Sequence, residues 1–343
     1  MTTRQRQEQD QDEQRNVAFA THFGVSFKPM RIAFAGSGYL GANLVRPIME
    51  SRHELVALIQ NGRGVGGFSR RARPLLNRSL GGNRSIMGIA ARNGIPIVWL
   101  NRMEPHELAP IAAAEPDLLL VGGFGIILKP PLLNLPRLGC VNTHSSLLPR
   151  HRGPNPFTPA ILDGDSESGI TFHRMDVGID TGPILAQHRA PIDPRETAGT
   201  LHKKLSRLAG EHVLSMLDAV EEHGLDGAPQ DPAFATYEKA PKLEDTYIDW
   251  AEPAETIDRR IRALHPIHRS RFWWRGRFVY VLRAEYDDTP VEAEPGTVLR
   301  VRPRVTIATG KGRLTVRAAY TSFPVPWRWP APWSAPEKGD VLA

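Results

Sequence analysis

Arg31-Ile32-Ala33-Phe34-Ala35-Gly36-Ser37-Gly38-Tyr39-Leu40-Gly41 reads as a buried strand that passes through a turn of small residues into a helix over residues 38–50. Outward from this unit the same alternation continues. Strands are expected at residues 55–59, 95–100, 117–121 and 140–144, with helices at 86–93 and 105–114 between them. Residues 169–175 read as a further strand, 183–190 as its hairpin partner, and 197–222 as a long amphipathic helix. Strands alternating with helices pair in parallel through right-handed crossovers, which predicts an α/β, doubly wound, Rossmann-like sheet. The opening turn also matches G-x-G-x-x-G, the dinucleotide fingerprint. That site needs an acid at the end of the second strand, and here the strand ends Ile59-Gln60-Asn61. Arginines in the following loop would suit NADP, yet no hydride-transfer constellation follows. The glycines are therefore read as a tight βα turn, whose helix N-terminus remains open to an anionic group.

A chain of 343 residues points to two domains, and 41% hydrophobic with 23% charged residues is ordinary for a folded protein. No apolar run is long enough to span a bilayer, so no membrane partner is expected. One cysteine, Cys140, excludes an intramolecular disulfide and offers no metal cluster; it fits a reducing, cytoplasmic setting with no metal. A net charge of +6 hints at a polyanionic partner. Residues 1–29 are polar and rich in Gln, Arg and acids, and read as a disordered tail, with Met30 a candidate functional start. The first domain is expected at 30–222, a Gly/Pro/Asp-rich linker at 223–240 and a second domain at 241–343. In that last part a short basic helix at 256–264 precedes strands at 270–274, 278–286, 296–301, 305–308 and 314–319, the pattern of a small β-barrel. Residues 323–336, packed with Pro and Trp, read as an extended strap.

The chemistry concentrates in Val141-Asn142-Thr143-His144-Ser145-Ser146-Leu147-Leu148-Pro149. Side chains two apart on a strand share a face, so Asn142 and His144 point together. Asp176-Val177-Gly178-Ile179-Asp180-Thr181-Gly182 supplies a glycine-flanked acidic loop after a neighbouring strand. Amide, imidazole and carboxylate are the groups needed to polarise a carbonyl and take a proton from an attacking amine. Asn-x-His alone is more often a pair of satisfied buried polar residues. Here it stands at the carboxyl end of a parallel strand, where doubly wound sheets bind ligands.

Asn142-x-His144-x-Ser146-Leu147-Leu148-Pro149, then Arg152-Gly153, then His173-x-Met175-x-x-x-x-Asp180-x-Gly182, resembles the signature of the folate-dependent formyltransferases. One small departure is Ser145, where the family usually has Pro or Gly. The resemblance implies a formyltransferase domain followed by an OB-like β-barrel domain, with 10-formyltetrahydrofolate giving its formyl group to an amine. It implies Asn142, His144 and Asp180 as catalytic residues. Asn142 and His144, the latter protonated at the critical moment, would stabilise charge on the formyl oxygen, one such donor being worth about 3 kcal/mol. Asp180 would raise the charge on His144 and accept the amine proton, directly or through water. The folate would lie between the loop carrying Phe124, Gly125, Ile126 and Ile127 and the loop of Asp176, Val177, Gly178 and Ile179. Ser146, Leu147, Leu148, Pro149, Arg152 and Gly153 would meet the substrate. Asp176 is expected to hold its loop, and His173 to pack beneath it.

The resemblance extends through Ile248-Asp249-Trp250 and Pro295-Gly296-Thr297-Val298-Leu299, and this layout is most similar to family members acting on initiator methionyl-tRNA. A tRNA partner also suits the acid-free loop 62–84, with Arg70, Arg71 and Arg73 as tRNA contacts, and the Arg-rich segment 259–277 with Trp273 and Trp274. The solvated surface remains the plainer account of those arginines, and barrel core that of the two tryptophans. Other features leave the acceptor open. Gly36-Ser37-Gly38-Tyr39-Leu40 and Pro154-Asn155-Pro156-Phe157 differ from the usual tRNA-branch sequences, and Phe172-His173-Arg174-Met175 is closer to the sugar-nucleotide branch. An amino-sugar nucleotide or another small amine is thus the alternative acceptor, and a non-catalytic binding protein on the same fold the third reading.

Overall fold

The computed structural model describes residues 29–65, 69–70, 85–321 and 336–342. The expected tail (Pro29 apart), Arg71 and Arg73, and the strap up to Ala335 lie outside them.

Seven strands form the first sheet: β1 (Arg31–Gly36), β2 (Glu54–Asn61), β3 (Ile97–Leu100), β4 (Leu118–Gly122), β5 (Gly139–His144), β6 (Glu167–Arg174) and β7 (Ile184–Pro191), in the order β3-β2-β1-β4-β5-β6-β7. β1 to β5 are mutually parallel, whereas β6 runs antiparallel to β5 and β7 antiparallel to β6. Period-2 alternation sorts β1 between two cores. Ile32 and Phe34 pack with α1 (Gly38–Met49), α2 (Ile86–Arg92), α5 (Phe157–Leu162) and α6 (Ala198–His223). Ala33 and Ala35 face the opposite layer, with α3 (Pro105–Ala113) and α4 (Pro130–Leu133). Helices on both faces make the sheet doubly wound, as the alternation predicted. α4 and α5 do not stand out in the sequence, since each is under two turns long, contains proline and lacks an apolar period.

α6 buries Leu201, Leu205, Ala209, Val213, Leu217 and Val220 at three- and four-residue spacing, and Thr197 caps it by accepting from the Thr200 N–H. Each large apolar side chain so buried contributes about 1.5–3 kcal/mol relative to exposure. The glycine turn after β1 has a packing cause. A Cβ at Gly36 would stand 2.1 Å from the Gly122 carbonyl oxygen, so the carboxyl ends of β1 and β4 meet at a distance only glycine allows. Gln60, where a dinucleotide site needs its acid, is buried and donates to the Gly36 carbonyl at 2.6 Å. The turn is thus tied to β2 by a structural amide.

The second sheet is antiparallel, in the order β10-β11-β12-β9-β8, from β8 (Ser270–Trp274), β9 (Arg277–Asp287), β10 (Val298–Arg300), β11 (Thr306–Ala308) and β12 (Arg313–Thr321). Ile257 and Ile261 of α7 (Ala254–Leu264) join Phe272, Val279, Val281, Ile307 and Leu314 in its core. Asp258, fully buried on α7, takes Arg262 at 2.9 Å and Arg195, just before α6, at 3.2 Å. That shared carboxylate fastens α7 to the segment entering α6.

Candidate active site

The pairing of β4, β5 and β6 builds the site. Asn142 stands opposite Val121 of β4 and opposite His173 of the antiparallel β6. The reversal of β6 therefore returns an imidazole to the edge where β5 ends. Asp180 follows on the β6–β7 connection, with φ 53, a left-handed conformation that Asp tolerates better than most residues. A Cβ at Gly182 would lie 1.9 Å from the Arg174 carbonyl oxygen, so the loop can fold back over β6 only with glycine there. Asp176 Oδ1 accepts from the Gly178 N–H at 2.8 Å and from Thr181 Oγ1 at 2.6 Å, holding the loop as the sequence suggested.

Asn142, His144 and Asp180 come together. Asn142 Nδ2 lies 3.1 Å from Asp180 Oδ1 and 3.2 Å from His173 Nε2. Asp180 Oδ2 accepts from the Gly153 N–H at 2.9 Å and lies 3.5 Å from His144 Nδ1, while His173 Nε2 is 3.3 Å from Oδ1. Burial alone would raise the Asp180 carboxyl. The His173 hydrogen bond, the charge His144 carries once protonated at low pH, and the Gly153 N–H overcome it and hold the group down at about 2. It is ionised at any working pH.

His144 is buried, and burial lowers its pKa despite Asp180 beside it. At neutral pH the ring rests uncharged before reaction. Nε2 is 2.8 Å from the His151 carbonyl oxygen, which can only accept; the proton of the neutral ring is therefore on Nε2, and the Nδ1 lone pair faces Asp180. Burial pushes the Cys140 thiol up to about 12, which makes it a poor nucleophile.

The other sequence candidates divide. Ser146 and Leu148 are buried, and Ser146 Oγ donates to the Arg150 carbonyl at 2.7 Å, so both shape the loop from within. Leu147 and Pro149 are partly buried. Arg152 is only 4% exposed, and its guanidinium is held by Gln230 Oε1 at 2.7 Å and Tyr237 Oη at 2.5 Å. Ile126 is buried and Phe124 partly so, against the α4 layer, whereas Gly125 is exposed. Ile127 is 68% exposed, Val177 75% and Ile179 49%, leaving large apolar side chains uncovered on the two loops expected to hold the folate. Arg70 donates to the Gly62 carbonyl and to Asn101 Oδ1, both at 2.9 Å, and so braces its own loop.

The arginines of segment 259–277 are also unequal. Arg259, Arg260 and Arg262 pair with Glu255, Glu252 and Asp258, and Arg271 is buried against the rings of Tyr247 and Phe278. Trp273 is exposed and Trp274 packs partly on the core. Gln230 and Tyr237 escaped the sequence reading altogether, because they lie in a Gly/Pro-rich stretch with no periodicity and far along the chain from Arg152. No helix among the described residues is long and apolar enough to cross a membrane.

Comparison with known proteins adds an independent line. The family model described as formyl transferase matches residues 30–217, and that described as formyl transferase, C-terminal domain, matches 242–321. The methionyl-tRNA formyltransferase of Pseudomonas syringae pv. tomato is 33% identical over 289 residues, covering 84% of this chain and 88% of that protein. That of a Roseiflexus species is 34% identical over 293 residues, covering 84% and 87%. Among solved structures, the sugar 3N-formyl transferase WlaRD superposes with a TM-score of 0.63 at 19% identity, over 86% of this chain and 99% of that one. An N-formyltransferase from Helicobacter canadensis gives 0.62 at 19% identity, over 85% and 100%.

Proposed function

The chain belongs to the formyl transferase family, and from that membership we propose that it moves the formyl group of 10-formyltetrahydrofolate to the amine of initiator methionyl-tRNA, with Asn142, His144 and Asp180 as its catalytic residues. The observation that carries the chemistry is the Asp180 carboxylate set among Asn142, His144, His173 and the Gly153 N–H. The exposed side chains of Ile127, Val177 and Ile179 suit packing on the faces of a flat ring, which the pterin of a folate offers. When bound, the folate supplies an activated formyl carbon with a good nitrogen leaving group.

The protein's part is to place charge and protons. An amine attacking the formyl carbon drives negative charge onto the formyl oxygen and must lose a proton. The Asn142 amide is the donor for that oxygen. Its nitrogen donates to Asp180 Oδ1 and lies beside His173 Nε2 at rest, so one of these contacts gives way to the substrate. Asp180, held at about 2, is by itself a weak base. Nδ1 of neutral His144 is the stronger one. A proton taken at the carboxylate passes to Nδ1, where the imidazolium is stabilised by Asp180 and adds positive charge beside the reacting centre. The charge on His144 thus arises during the reaction, and its proton would go to the folate nitrogen as the bond from that nitrogen to the formyl carbon breaks.

Methionyl-tRNA as acceptor is supported by relatives aligned over both parts of the chain that carry that name. A second reading, an amino-sugar nucleotide, is favoured by Phe172-His173-Arg174-Met175 and by a fold shared with sugar N-formyltransferases. The test offers 10-formyltetrahydrofolate with methionyl-tRNA or with amino-sugar nucleotides and follows formylation of each. Transfer to methionyl-tRNA that falls steeply between about 50 and 200 mM salt supports the proposal. Salt-insensitive formylation of a sugar amine with none of the tRNA replaces the acceptor. Absence of transfer to any amine removes the proposal.

A further inference from the structure

The segment joining the two sheets crosses the carboxyl edge of the first one and bonds to both loops that carry the site. Gln230 Nε2 donates to the carbonyl of Asp180 at 2.8 Å and to that of Gly182 at 2.7 Å. Its Oε1 accepts from Arg152 Nε at 3.1 Å and Nη2 at 2.7 Å. One side chain therefore spans from the Asp180 loop to the Arg152-Gly153 turn, whose Gly153 N–H holds Asp180 Oδ2 at 2.9 Å. Residues further along complete the attachment. Arg152 N–H donates to the Thr236 carbonyl at 2.9 Å, Glu238 N–H to the Arg152 carbonyl at 2.8 Å, and His151 N–H to Thr236 Oγ1 at 2.7 Å. His151 in turn offers its carbonyl to Nε2 of His144.

We propose that Gln230 is a positioning residue for formyl transfer: by bridging the two carbonyls of the Asp180 turn to the Arg152 guanidinium it sets the Asp180 carboxylate against Asn142 and His144. The inference rests on Asp180 being catalytic, as read above. It follows from the hydrogen-bond inventory of a primary amide, which offers two donors and one acceptor oxygen, all used here. Glutamate has the same shape but no donor. In its place Arg152 would stay satisfied, while a carboxylate would face two carbonyl oxygens. Among the described residues the Gln230 amide is the donor found on those two carbonyls. Misplacing a reacting group by about 1 Å can lower a rate about 100-fold.

The test uses the full chain with Gln230→Glu and Gln230→Ala, each also combined with Asp180→Asn. It reads single-turnover transfer from 10-formyltetrahydrofolate to the amine identified by the acceptor test, and binding of 5-formyltetrahydrofolate by titration. Each single Gln230 variant should transfer at least tenfold more slowly while binding the folate within about threefold of wild type. On the Asp180→Asn background the same changes should have little further effect, because the group they position is already gone. Rates within twofold of wild type overturn the proposal. So does an equal loss on the Asp180→Asn background, which a purely structural role produces. If Gln230→Ala fails to fold, Gln230→Glu, which keeps the Arg152 contact, decides alone. Near-normal turnover of Asp180→Asn by itself would instead defeat the assignment of Asp180, a separate result.

Discussion

Replacing Asp180 with Asn removes one charge and keeps the shape, so two effects can be read from one variant. The carboxyl is held at about 2 against an ordinary 3.8. At about 1.4 kcal/mol per pH unit, its ionised form is worth on the order of 2 kcal/mol to the fold. The sign follows from linkage: a depressed carboxyl pKa gives stability that is fully present above 3.8 and is lost as pH falls through about 2. Asp180→Asn should therefore be less stable by about that amount at pH 7 and at pH 5, with the gap narrowing by pH 3. Urea unfolding followed by circular dichroism at the three pH values measures it. The second effect is on rate. Without the carboxylate, Nδ1 of His144 loses both its proton relay and the charge that stabilises the imidazolium, and single-turnover transfer should fall about 100- to 10,000-fold. A variant within tenfold of wild type in transfer would refute the proton route. Equal stability of the two proteins at pH 7 would refute the electrostatic account of the carboxylate.

Asn142→Ala should slow transfer about 100-fold, through loss of one donor worth about 3 kcal/mol; rate comparison at saturating folate checks it, and near-normal turnover excludes the amide. The His144 ring should titrate below 6.5, seen by NMR of isotope-labelled histidine, because burial disfavours its charged form. A pKa lowered on folding also means this ring withdraws stability as pH falls below 6.5, and titration above that value would contradict the neutral resting state. Gly182→Ala forces a methyl against the Arg174 carbonyl and should destabilise the protein by about 1–3 kcal/mol, measured by urea unfolding. An unaffected midpoint would mean the loop can re-route.

Much of this was legible in the chain itself. β1, β2 and β4 are short apolar runs between helical periods, and that contrast survives without coordinates. Asn142 and His144 were readable because strand periodicity puts them on one face. The loop to Asp180 was readable because glycines mark a backbone that must turn. Gln60 was visible only as a missing acid, and its hydrogen bond to Gly36 depends on strand order, which no local pattern states. Gln230, Thr236 and Tyr237 were invisible for a similar reason: a polar residue in an irregular segment acquires its meaning from what it lands on. The resting charge of His144 depends on burial from all sides, which the spacing of Asn142 and His144 does not encode.

The pairing of residues 236–238 with the Pro149–Arg152 turn bears on how such a chain can be taken apart and rebuilt. The family model for the first part ends at residue 217, ahead of every one of those contacts. A chimera joined there would receive its crossing segment from a foreign sequence and inherit a folded sheet with a loosely set Asp180. A junction after residue 240 carries the native segment along. On the role proposed for Gln230, the unit that must be inherited together runs about twenty residues past residue 217, and recombination between relatives should be tolerated beyond that stretch and not within it.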